Sequence, residues 1–96
     1  MALGRDACYL LWRQVFAMAA GNMIFHATAI YDPSGNPATG VYNGGHGEMY
    51  VRSDRFASTV DLMNTVGHEA AHAQGFHDYG VVQAQDMSDQ CVPLLG

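Results

Sequence analysis

His68-Glu69-Ala70-Ala71-His72-Ala73-Gln74-Gly75-Phe76-His77-Asp78 is the stretch that decides how this chain is read. His68 and His72 are four residues apart, so on a helix they share one face about one turn apart. Two neutral imidazoles in that position can grip one divalent cation. Glu69, one step along, is rotated by about 100° and approaches a water on that cation from the side rather than binding the metal. Gly75 then lets the helix stop abruptly, so that the chain can turn back and offer a further side chain from a loop.

The surrounding sequence supports a helix at this place. Ser58 with Asp61 three residues on resembles a capping box with the shorter acid. From there to Gly75, Leu62, Met63, Val66, Ala70 and Ala73 gather on one side, and Asp61, Thr65, His68 and His72 on the other. An apolar back and a histidine front suit a helix that lines a cleft.

Upstream, Asp6 is a plausible N-cap and Gly21 a plausible stop. Between them Cys8, Leu11, Trp12, Val15, Phe16 and Ala19 repeat at helical spacing, which predicts a packing helix of about four turns. The apolar run Cys8–Ala20 has the look of a signal-peptide core, but Arg13, Gln14 and the preceding Asp6 favour a structural helix. Met23–Tyr31 reads as a strand, with Met23, Phe25, Ala27, Ala29 and Tyr31 on one face and Ile24, His26 and Ile30 on the other. Sheet alternation alone accounts for His26. Asp32–Gly40 is turn chemistry, Val41-Tyr42 a short strand, Asn43-Gly44-Gly45 a break, and Glu48–Arg52 another short strand. Residues 76–96 read as irregular. The fold class is therefore α+β: a packing helix, a short mixed sheet, a helix bearing the two histidines, and an irregular C-terminal segment, in one domain over residues 1–96.

Composition sets the bounds. The chain has 96 residues, 49% apolar and 14% charged, which suits a globular domain and not a disordered one. A chain this short buries only about two-thirds of its surface, so a metal or a disulfide matters to its stability. Cys8 and Cys91 near the two ends either form that disulfide or serve as two buried thiols. The net charge is -5 with four cations, all arginine, which offers no basic patch for nucleic acid. No apolar run reaches the roughly 20 residues that cross a bilayer.

With Glu69 between the histidines and Gly75 and Asp78 in register, the stretch resembles the HExxHxxGxxD variant of the zincin metallopeptidases, in their metzincin branch. The resemblance spans roughly residues 48–90, and its motif is eleven residues long. It implies a zinc peptidase with a protein or peptide substrate. Zinc (Zn2+) would be held by His68, His72 and Asp78, with Glu69 as general base. By ligand chemistry alone, His77 rivals Asp78 as third ligand. The resemblance also implies a methionine in a turn beneath the metal, for which Met87 is the candidate, although a methionine there can equally fill the core. It further implies a substrate-binding strand at the sheet edge, a place that Glu48–Arg52 takes in the order of elements. His46, in the loop before that strand, and Tyr79 are candidates to meet substrate or an oxyanion; a mobile-loop histidine is the plainer reading of His46. Such domains are usually larger, so the chain resembles a minimal or divergent member.

Two alternatives stand beside this reading. Small metal-dependent ribonucleases with the pattern HGxLHxxGxDH have similar spacing, but Glu69 replaces their glycine and Asp78 their last histidine. A non-catalytic zinc module would instead close its coordination sphere with a fourth protein ligand. Localisation stays open, with secretion as part of an effector one course.

Overall fold

The computed structural model describes residues 4–95. Helix α1 (Arg5–Ala20) leads to strands β1 (Ile24–Ala27), β2 (Ile30–Tyr31), β3 (Pro37–Ala38), β4 (Gly40–Asn43) and β5 (Glu48–Arg52). A 3-10 turn (Ser53–Ala57), helix α2 (Thr59–Ala73), helix α3 (Ala84–Cys91) and a second 3-10 turn (Val92–Leu95) complete the chain. The α+β class read from the sequence is the class observed, with a three-stranded mixed sheet and a two-stranded antiparallel one.

Helix α1 buries Cys8, Leu11, Trp12, Val15 and Met18. The expected stripe is right for its first three turns and then diverges. Phe16 is 58% exposed and Ala19 is exposed, while Met18 takes the inner position. Asp6 lies within the first turn, and Gly4 occupies the cap without a side-chain bond.

The predicted strand Met23–Tyr31 is two strands. β1 pairs in parallel with β5, from Ile24 opposite Met49 to Ala27 opposite Arg52. β2 instead folds onto β3 through a turn that Asp32 organises: its Oδ1 accepts the backbone N–H groups of Ser34 and Asn36, each at 2.9 Å. A parallel pair needs a connection of a dozen or more residues, and β2, β3 and β4 supply it. The strand order is β1-β5-β4, so Glu48–Arg52 is the central strand and not the edge. The sequence of β5 explains this. Met49 and Val51 are fully buried, and Tyr50 on the opposite face stacks on Phe25 of β1 at 5.3 Å. A strand with both faces covered belongs inside a sheet. The edge beside α2 is β4.

Helix α2 begins as the sequence predicts, with the Ser58 hydroxyl accepting the Asp61 backbone N–H at 3.3 Å. Its buried side is broader than one stripe: Thr65, Val66, Gly67, Glu69, Ala70 and Ala71 are all buried. This follows from its central place, touching α1, α3 and the sheet. The C-terminal segment is irregular after α2, and within it α3 forms a short helix. The Gln83 side chain accepts from the Asp86 backbone N–H, and the Asp86 carboxylate accepts the Gln83 N–H at 2.8 Å. That reciprocal cap uses residues other than the usual Ser or Thr with Glu. Met87, which the sequence left between a turn beneath the metal and a core position, lies on α3 and is 1% exposed within the core. Cys8 and Cys91 are disulfide-bonded, tying α1 to the end of α3. The Trp12 indole N–H donates to the Cys91 carbonyl at the same junction, at 3.1 Å.

Candidate metal centre

The last turn of α2 carries the site. Its end is built as the glycine suggested. Gly75 takes φ +96°, and the N–H groups of Gly75 and Phe76 donate back to the carbonyls of His72 and Ala71, each at 3.0 Å. This left-handed stop reverses the chain and brings Asp78 over the helix end. Asp78 Oδ1 lies 3.3 Å from His68 Nε2 and 3.2 Å from His72 Nε2, and the two Nε2 atoms are 3.1 Å apart.

The outer nitrogens of both rings face acceptors. His72 Nδ1 is 2.9 Å from the Phe76 carbonyl oxygen, which can only accept, so Nδ1 must carry the proton. His68 Nδ1 is 2.9 Å from Gln85 Oε1 on α3. A neutral imidazole that donates through Nδ1 leaves a lone pair on Nε2. With both rings neutral, two such lone pairs and a carboxylate oxygen converge, an arrangement that a cation at their centre would stabilise. The separations also suit one. A tetrahedral ion with bonds of about 2.0–2.1 Å sets its ligand atoms about 3.3–3.4 Å apart.

Glu69 lies within 4.8 Å of the imidazole nitrogens and is 7% exposed. Burial pushes its carboxyl above the usual range; any positive charge on the His68 and His72 rings opposes this, the Asp78 carboxylate adds to the rise, and the Tyr42 backbone N–H lowers it. Strand β4 crosses directly above. The Cβ of an alanine at Gly40 would lie 3.1 Å from Glu69 Cγ and 2.9 Å from Thr65 Cγ2. The absence of a side chain at Gly40 is what lets the strand approach so closely.

The cleft around these groups has a volume of ≈ 760 Å³. The β2–β3 turn, β4 and α2 form its walls, and Arg55 lies in it with its Nε–H donating to Thr65 Oγ1 at 3.1 Å. Of the other sequence candidates, His77 stacks on Tyr79, ring centroids 4.8 Å apart and planes 2° from parallel. Neither lines the cleft, and Tyr79 is 70% exposed. His46 lies in the turn between β4 and β5, also away from the cleft lining. His26 stacks on Phe56 at 3.8 Å. Sequence reasoning missed Gln85, the Phe76 carbonyl, Gly40 and Arg55. Gln85 and Gly40 carry no local signal, because each meets the site only through packing of another element. The Gly75 stop was the available clue to the Phe76 carbonyl. Comparisons with protein families, with curated proteins and with solved structures find no significant match to this chain, so the site stands on its own geometry.

Proposed function

We propose that the protein is a zinc-dependent peptidase of zincin type, with His68, His72 and Asp78 as metal ligands and Glu69 as general base. The observation that carries this reading is the meeting of His68 Nε2, His72 Nε2 and Asp78 Oδ1 at 3.1–3.3 Å, close to the spacing of ligand atoms around a tetrahedral ion. Zinc, when bound, lowers the pKa of a water and polarises a carbonyl as a Lewis acid. The remaining work falls to the protein. Glu69 takes the proton of the attacking water and passes it to the leaving amine nitrogen. Its shielded carboxyl, with an affinity for protons raised by burial, suits an exchange in both directions.

The substrate strand is β4 rather than β5. The Arg52 N–H donates to the Thr39 carbonyl, so alternation in the antiparallel ladder turns the polar groups of Gly40 and Tyr42 outward. Tyr42 faces Glu69, and the Gly40 edge is free to pair with an extended peptide by strand addition.

The test is zinc content together with peptide cleavage. The wild type is expected to hold about one zinc per chain and to cleave unstructured peptides. Glu69→Ala is expected to keep the metal and to lose a factor of about 10²–10⁴ or more in rate. A chain that retains no zinc, or a fully active Glu69→Ala protein, rules the reading out. Zinc retention with no cleavage of any peptide would leave a binding module.

A further inference from the structure

The imidazole of His68 must present a bare Nε2 to the metal, and something has to hold it so. Its Nδ1 faces the side chain of Gln85, which has two chemically different ends: an oxygen that only accepts and a nitrogen that only donates. If the nitrogen faced His68, it would demand a lone pair on Nδ1, and the proton would move to Nε2, where it blocks the metal. The orientation of one amide therefore decides whether His68 can be a ligand.

Asp89 settles that orientation. It lies one turn further along α3, and its Oδ1 is 2.7 Å from Gln85 Nε2. An ionised carboxylate only accepts, so the amide nitrogen must point to it. The amide oxygen then points the other way, 2.9 Å from His68 Nδ1. Each step leaves one choice of proton: carboxylate, amide, imidazole, and finally the lone pair on Nε2.

We infer that Gln85, oriented by Asp89, is a positioning residue that fixes the tautomer of His68 for metal binding. The inference rests on reading the cluster as a metal site, but its first consequence concerns the metal-free protein. The use of an amide rather than a carboxylate also has a consequence. The ring is oriented without a carboxylate in direct contact with its Nδ1.

The experiment combines nitrogen NMR of the histidines in the metal-free protein with zinc affinity by chelator competition. His68 is expected to carry its proton on Nδ1. Gln85→Leu, which removes the acceptor, is expected to admit the Nε2–H tautomer and weaken zinc binding about 10–100-fold. Gln85→Glu combined with Asp89→Asn keeps an acceptor towards His68 and a donor–acceptor contact along α3, and is expected to keep both the tautomer and the affinity. Asp89→Ala frees the amide to rotate and is expected to fall between. Gln85 and Asp89 are both exposed, so unchanged thermal unfolding should accompany all three. A wild-type His68 protonated on Nε2, or a Gln85→Leu protein with wild-type tautomer and affinity, overturns the inference. Should the wild type bind no zinc, the peptidase reading fails, while the NMR result still judges the role of Gln85.

Discussion

Glu69 is held where its negative charge is costly, buried at the core side of the cleft, and its carboxyl is shifted upward chiefly by that burial. The sign of the resulting pH dependence follows. In the metal-free protein the folded-state pKa lies above the unfolded one. The contribution of Glu69 to stability is therefore fully present below the unfolded carboxylate range and is lost as pH rises through the folded pKa. Glu69→Gln removes this loss. The metal-free variant is expected to unfold at higher temperature than the metal-free wild type near pH 7, with the gap closing below about pH 4. Thermal unfolding across that range checks it; a gap that widens on acidification would show the opposite linkage. The proposal of Asp78 as third ligand also belongs to this scale. Asp78 Oδ1 lies 3.2–3.3 Å from both Nε2 atoms, whereas the His77 ring is stacked on Tyr79. Asp78→Ala is expected to weaken zinc binding by more than the roughly 10–100-fold typical of an outer partner, and His77→Ala to leave it unchanged. Isothermal titration of both variants discriminates the two.

Among the elements, α2 was the most legible, because its information is local. Ser58 supplies the cap, Gly75 the stop, and the 3.6-residue period places both histidines on one face. The strands were less legible. A stretch such as Glu48–Arg52 shows that it is extended, but its sheet neighbours are chosen by distant residues, here β1 on one side and β4 on the other. Helix α3 escaped notice because its cap uses Gln83 and Asp86 and its buried residues include small and polar ones, Ala84 and Ser88. Ser88 is held in the core by donating to the Asn64 carbonyl of α2 at 2.9 Å. The contact between β4 and α2 gives a test at this scale. Gly40→Ala places a Cβ within 2.9–3.2 Å of Thr65, Glu69 and the Tyr50 carbonyl, so strand and helix must part. The expected cost is about 1–3 kcal/mol, as for other overpacked sites, with a larger proportional loss of activity than of stability. Denaturant unfolding and cleavage rates measured together would expose a harmless substitution.

For the molecule as a whole, the chief problem is size. Ninety-six residues enclose a core of α1, α2, α3 and the inner face of one small sheet, and the disulfide joins that core across a sequence separation of 83. Closing so long a loop removes much of the freedom of the unfolded chain, about 4–5 kcal/mol on the chain-entropy account. Replacing both Cys8 and Cys91 by alanine is expected to lower stability by a few kcal/mol, more than most single core changes. It should also loosen α3 and so weaken zinc binding. Unfolding midpoints and zinc affinity of the double variant, set against the oxidised wild type, report both effects. The sequence by itself determined the helix with its two histidines, the glutamate beside them, the stop at Gly75 and the mixed α+β character. These follow from spacing and backbone preference, which act over a turn or two of chain. Only the tertiary structure decided that Cys8 meets Cys91, that β5 lies inside the sheet, that β4 crosses over Glu69, and that Gln85 holds His68. Those pairings join residues far apart in sequence, and they are selected by which apolar faces can be buried together rather than by any local pattern.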